Sequence, residues 1–102
     1  MDAQDKIRDT VTKNKVVLFM KGTPQFPQCG FSSTAIQILQ ASGATEVATV
    51  NVLENPDIRQ GIKEYANWPT IPQLYIDGEF VGGSDIMREM YESGELQKIL
   101  AG

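Results

Sequence analysis

Residues 16–20, Val-Val-Leu-Phe-Met, are an unbroken apolar run in a chain whose other segments mix polar and apolar positions. Successive side chains of a strand point to opposite faces, so a strand apolar at every position needs apolar cover on both sides. That requirement excludes a sheet with one solvated face and demands helices above and below it.

The rest of the chain supplies them. Asp2 can cap a first helix that presents Ile7 and Val11, with Asn14 as its stop. After the polar, proline-punctuated loop of residues 21–28, Cys29-Gly30-Phe31-Ser32 opens a second helix. Phe31, Ala35, Ile36 and Leu39 share its stripe, and Gly43 ends it. Residues 47–52 alternate as a second strand. Asn55-Pro56, an N-cap followed by proline, starts a helix carrying Ile58, Ile62, Tyr65 and Ala66. Trp68-Pro69-Thr70-Ile71-Pro72 breaks it and leads into a strand over residues 73–76. Asp77-Gly78, flanked by Leu74-Tyr75-Ile76 and Phe80-Val81, is a two-residue hairpin signal. Gly82-Gly83-Ser84-Asp85 then turns into a helix bearing Ile86, Met87, Met90 and Tyr91, stopped at Gly94. A last short helix carries Leu96, Ile99 and Leu100. The order α-β-α-β-α-β-β-α-α joins a right-handed β-α-β crossover to an antiparallel hairpin in one sheet. The expected fold is α/β, a four-stranded mixed sheet flanked by helices on both faces, which suits a thioredoxin-like fold.

Two absences narrow the chemistry. The chain has no histidine, which removes the usual general base, the imidazole metal ligand and any Cys-His nucleophilic pair. It has one cysteine, so no internal disulfide can form and a reducing compartment is expected. A net charge of −4, with no run of Lys or Arg, speaks against nucleic acid as a partner. The longest apolar run is far short of the ~20 residues that span a bilayer, so no membrane partner is expected. Asp2 and Asp5 stand where a signal peptide would be basic. The expected location is cytoplasmic, or the matrix of an organelle for a mature form.

A lone cysteine is more often an inert buried residue than a reactive one. The setting of Cys29 reverses those odds. It follows a polar loop and precedes helix-forming residues, which puts its sulfur at a helix N-terminus where free N–H groups stabilise a thiolate. Lys21, at the end of the first strand, adds positive charge, and a lowered thiol pKa is expected. Ser32 stands three residues on, where a dithiol motif has its second cysteine. A hydroxyl cannot resolve a mixed disulfide, so an outside thiol must clear any disulfide on Cys29. Ser32 by itself also reads as an ordinary first-turn helix residue.

Lys21-Gly22-Thr23-Pro24, Pro27-Gln28-Cys29-Gly30-Phe31-Ser32, Trp68-Pro69-Thr70-Ile71-Pro72-Gln73 and Gly82-Gly83-Ser84-Asp85 together resemble a monothiol glutaredoxin of the CGFS type. The resemblance covers residues 1–102 as a single glutaredoxin domain. It implies that glutathione binds beside Cys29, with Lys21 and Arg59 near its glycine carboxylate. Backbone groups at Ile71, before a cis-proline at Pro72, are implied to pair with its cysteinyl part, and Ser84 and Asp85 to receive its γ-glutamyl end. A tripeptide with two carboxylates and one ammonium wants cations at one end and an anion at the other. Gly82 and Gly83 let backbone approach a ligand closely. Each residue also has a plainer reading: Lys21 and Arg59 as solvated charges, Asp85 as a first-turn acid, Ser84 as a cap, Trp68 as a packing residue at an edge. Phe26 is either a partner surface or a loop anchor.

A [2Fe–2S] cluster takes four thiolates. Two copies of Cys29 and two glutathione thiols reach that number, which makes a homodimer part of the expectation, with a monomeric apo form. The resemblance implies a carrier of such clusters, with BolA-like proteins and iron–sulfur recipient apoproteins as partners, and Cys29 as both metal ligand and nucleophile. The alternative is a glutathione-dependent thiol–disulfide oxidoreductase. The resemblance goes with weak turnover of that kind, which leaves enzymatic activity the lesser expectation.

Overall fold

The computed structural model describes residues 1–102. Its elements are α1 (Ala3–Lys13), β1 (Val16–Met20), α2 (Gly30–Ala41), β2 (Ala48–Asn51), α3 (Pro56–Ala66), β3 (Gln73–Ile76), β4 (Glu79–Gly82), α4 (Ser84–Ser93) and α5 (Glu95–Ala101). This is the expected order in a thioredoxin-like arrangement. The strands run β2-β1-β3-β4 across one sheet; β1 pairs parallel to β2 and antiparallel to β3, and β3 pairs antiparallel to β4. No helix is long and apolar enough to cross a membrane.

All five residues of β1 are buried, and they divide by alternation. Val16, Leu18 and Met20 enter a core with Leu39 of α2, Met87 of α4 and Leu96 of α5. Val17 and Phe19 enter the opposite core with Ile7 and Val11 of α1 and Ile58 and Ile62 of α3. The continuous apolar run is thus the middle layer of a three-layer structure. Tyr75 holds the second core together: its ring meets Phe19 edge-on at 5.6 Å and Phe80 at 5.5 Å. Its hydroxyl donates to Gln73 Oε1 at 3.1 Å, and burial pushes its ionisation well above the ordinary phenol range.

Local signals explain the boundaries. Asp2 caps α1 by accepting from the Asp5 N–H at 2.9 Å. The β3–β4 hairpin turns on Asp77 (φ 53°) and Gly78 (φ 80°), the double positive φ that Asp-Gly favours. Three expectations need correction. Phe31 does not join the α2 stripe: it is 64% exposed, and Ser32 takes the inward position with no exposure. On α4, Ile86 and Tyr91 stand at the surface, while Met87 alone of the four predicted apolar residues is fully buried. The second strand is shorter than residues 47–52: Val47 precedes the pairing, and at Val52, whose amide still donates to Met20 C=O at 2.9 Å, the chain turns and the side chain enters the second core.

Strand polarity sets where function can sit. The C-terminal ends of β1, β2 and β4 and the N-terminal start of β3 all lie at one edge of the sheet. Residues 21–29, Asn51, Ile71-Pro72 and residues 82–85 therefore meet there, and the Asp77-Gly78 turn lies at the other end.

Candidate functional site

At that edge a cleft of about 420 Å³ opens, and every site residue expected from sequence lines it: Lys21, Cys29, Arg59, Ile71, Pro72, Ser84 and Asp85. A second opening of about 560 Å³ continues past Cys29 along Gly30, Thr34 and Arg88. A Cβ built on Gly30 would meet nothing within 4 Å, so the space beside the sulfur is open.

Cys29 is half-buried and occupies the N-cap position of α2 with extended backbone (φ −153°, ψ 137°). Its side chain makes no capping hydrogen bond. The first backbone bond of the helix runs from Ser33 N–H to Cys29 C=O at 3.0 Å, so the amides of residues 30–32 remain free. Those N–H groups favour the anion. The Ser32 amide lowers the thiol pKa most, the Phe31 amide and the Lys21 charge add to it, and partial burial opposes them. Because the folded pKa lies below the unfolded one, the thiolate adds stability above the ordinary thiol range. That gain is lost as pH falls through the folded value. The rate of alkylation by iodoacetamide, followed against pH, is expected to rise with a midpoint below the ordinary thiol value of ~8.5. A midpoint at or above that value would contradict the site's electrostatics.

The loop carrying Cys29 is pinned by two side-chain oxygens. Where β1 ends, the Lys21 N–H donates to Ser32 Oγ at 3.0 Å and the Gly22 N–H donates to Asn51 Oδ1 at 2.9 Å. Gly22 then turns with φ 93°, and Gln28 N–H returns to Lys21 C=O at 2.9 Å. Ser32 is thus a buried joint between strand and helix rather than an ordinary first-turn residue. Phe26 sits at the loop tip, 74% exposed, so its side chain does not anchor the loop; its backbone does, exchanging hydrogen bonds with Thr23 at 3.1 and 3.2 Å.

One end of the cleft is cationic. Lys21 comes from the end of β1, and Arg59 comes from α3 with Lys63 one turn further on. All three are absent from the chain's ion pairs, which join Lys6–Asp57, Arg8–Asp5 and Lys13–Asp9. Lys63 was not among the expected residues; its spacing of four from Arg59 is the signal that could have found it. The other end is the start of α4. Its first backbone bond runs from Met87 N–H to Gly83 C=O at 3.0 Å, which leaves the Ser84, Asp85 and Ile86 amides free beside the Asp85 carboxylate. Between the two ends lies Ile71, followed by a cis peptide to Pro72. Neither backbone group of Ile71 is hydrogen-bonded within the chain. Gln73, fully buried, holds this segment by donating to Trp68 C=O at 3.2 Å and Thr70 C=O at 3.1 Å. Trp68 packs on Phe80 at 5.9 Å and also lines the cleft. The arrangement suits an extended zwitterionic peptide laid beside a reactive thiol.

Comparison with known proteins finds relatives that match most of the chain in sequence and in fold. The family model described as Glutaredoxin matches residues 16–81. A ycf64-like monothiol glutaredoxin of Synechocystis sp. is 58% identical over 99 residues, spanning 97% of this chain and 92% of that protein. The solution structure of reduced poplar apo GrxS14 superposes with a TM-score of 0.80 at 59% identity, over 93% of this chain and 86% of that one. The crystal structure of a buckwheat glutaredoxin–glutathione complex superposes with a TM-score of 0.84 at 25% identity, over 97% of this chain and 87% of that one.

Proposed function

This chain belongs to the glutaredoxin family, with monothiol members among its relatives, and from that we propose that it binds glutathione and carries a [2Fe–2S] cluster between two protomers. The observation that carries the reading is a single thiol beside a cleft whose charges match a tripeptide. Lys21, Arg59 and Lys63 face the glycine carboxylate, the free backbone groups of Ile71 pair with the cysteinyl residue, and the start of α4 receives the γ-glutamyl end. There the free amides take the carboxylate and Asp85 takes the ammonium. Glutathione bound in this way holds its own thiol next to Cys29.

The cluster is cargo. It needs four thiolates, while the chain offers one cysteine, no histidine and no group of three or more side chains able to hold a metal ion. Two protomers and two glutathiones complete the set. The opening past Gly30 gives the cargo room, and ligands borrowed from a small molecule leave readily when a recipient apoprotein takes it. A BolA-like protein is the proposed alternative to the second copy, and cytoplasm or organelle matrix the proposed setting.

Anaerobic reconstitution with iron, sulfide and glutathione is expected to give visible charge-transfer absorption that elutes with a dimer, and neither when glutathione is left out. A colourless monomer would overturn the carrier reading.

A second reading rests on the lowered pKa and accessibility of Cys29. Its thiolate attacks the glutathione sulfur of a mixed disulfide and the other thiolate leaves. A free glutathione thiolate then attacks the Cys29–glutathione disulfide, releasing glutathione disulfide and restoring Cys29. Weak turnover of a small mixed disulfide is expected; fast turnover without cluster retention would put this reading first.

A further inference from the structure

Lys21 and Arg59 reach the cleft from separate elements, and no contact between them sets their separation. We propose that Asn51 is the positioning residue that sets it, so that both cations converge on one carboxylate; this rests on the glutathione reading above.

Asn51 is the last residue of β2 and pairs with Met20 at the end of β1. Its Oδ1 accepts two N–H groups, from Gly22 at 2.9 Å and from Leu53 at 3.0 Å. Its backbone carbonyl accepts Asn55 Nδ2 at 2.9 Å, and the Asn55 carbonyl accepts the Arg59 N–H at 2.9 Å. One side chain therefore clamps the residue after Lys21, and the same residue fixes the N-cap of the helix that bears Arg59. The Gly22 amide has left the sheet ladder and sits in a buried turn, so without Oδ1 it loses its partner. The turn then relaxes, and Lys21 moves relative to α3. Both side-chain bonds use an acceptor oxygen, which an aspartate also supplies.

The test is calorimetry of the apo chain with glutathione and with its analogue carrying a carboxamide in place of the glycine carboxylate. The wild-type chain is expected to favour glutathione by about tenfold, the scale of charge-assisted contacts to one carboxylate. In Asn51→Ala the preference is expected to fall to about twofold or less, with affinity for the carboxamide little changed. Asn51→Asp is expected to keep the wild-type preference. A merely structural role would lower thermal stability and leave the preference intact. An unchanged preference in folded Asn51→Ala, an equal loss in Asn51→Asp, or no preference in the wild type would each overturn the proposal. Should Asn51→Ala not fold, Asn51→Ser, whose shorter hydroxyl cannot span both amides, is read in the same way. Failure of the wild-type chain to bind glutathione at all overturns the glutathione reading itself, and this inference with it.

Discussion

Cys29→Ser is expected to abolish cluster retention and all thiol reactivity while leaving the fold at least as stable as before. The chemical loss is complete because the chain has no other cysteine and no histidine to substitute. A serine hydroxyl stays protonated at neutral pH and is a poor ligand for metals that select soft thiolates. The structural effect has the opposite sign. Cys29 occupies the N-cap of α2 without making a capping bond, whereas serine is among the preferred N-cap residues. The exchange should add up to about 1 kcal/mol of stability. Absorbance per chain after anaerobic reconstitution and the thermal midpoint together check this. Cluster retained by the variant would place the ligand elsewhere. A midpoint lowered by more than about 5 °C would make the loss structural.

Gly22→Ala is expected to cost roughly 2–4 kcal/mol, against no loss for the same substitution at Gly30 eight residues on. At Gly22 the backbone is left-handed, and a new Cβ would stand 2.5 Å from Phe26 O and 2.7 Å from Gln28 N. Both atoms belong to backbone that the loop's own hydrogen bonds hold, so the turn must open and release its bond to Asn51. At Gly30 the position is helical and a Cβ meets open space, so alanine gains helix propensity, up to about 1 kcal/mol. On a chain of this length the Gly22 variant should melt about 10–25 °C lower. Glutathione affinity should fall with it, since Lys21 and Cys29 sit at the two ends of the turn. Equal midpoints for the two variants would show that the turn is not constrained as described.

The layers of the fold were legible because each rests on local pattern. An apolar run such as residues 16–20 declares two covered faces, Asn55-Pro56 declares a helix start and Asp77-Gly78 a tight turn. The site's charged ends were legible only through the family resemblance, which assigned Lys21, Arg59 and Asp85 to the two ends of a bound tripeptide. Read as single residues they look like solvated charges and a first-turn acid. What escaped depends on which way a side chain turns. Phe31 and Ser32 are neighbours at the mouth of a helix, and apolarity alone assigns the inner place to phenylalanine. The helix start gives it to serine, whose oxygen takes the Lys21 amide 11 residues away in sequence. Asn51 reads as one more residue at the end of a strand until the Gly22 amide, 29 residues distant, is seen to end on it. Lys63 needed only the helical repeat from Arg59. Ile86 and Tyr91 match the apolar spacing of α4 yet lie outside, because one face of a short helix already fills the gap against the sheet.

The polarity of the sheet has a practical reach. Every group assigned to binding or chemistry gathers at one edge, and about 15 Å of paired strand separates it from the Asp77-Gly78 turn. That turn is a handle. A fluorophore or a spin label placed there would follow the molecule's tumbling, and so the proposed passage from one copy to two, without touching the thiol or the cleft beside it. The far end of the sheet is where an instrument can be attached to watch the near end work.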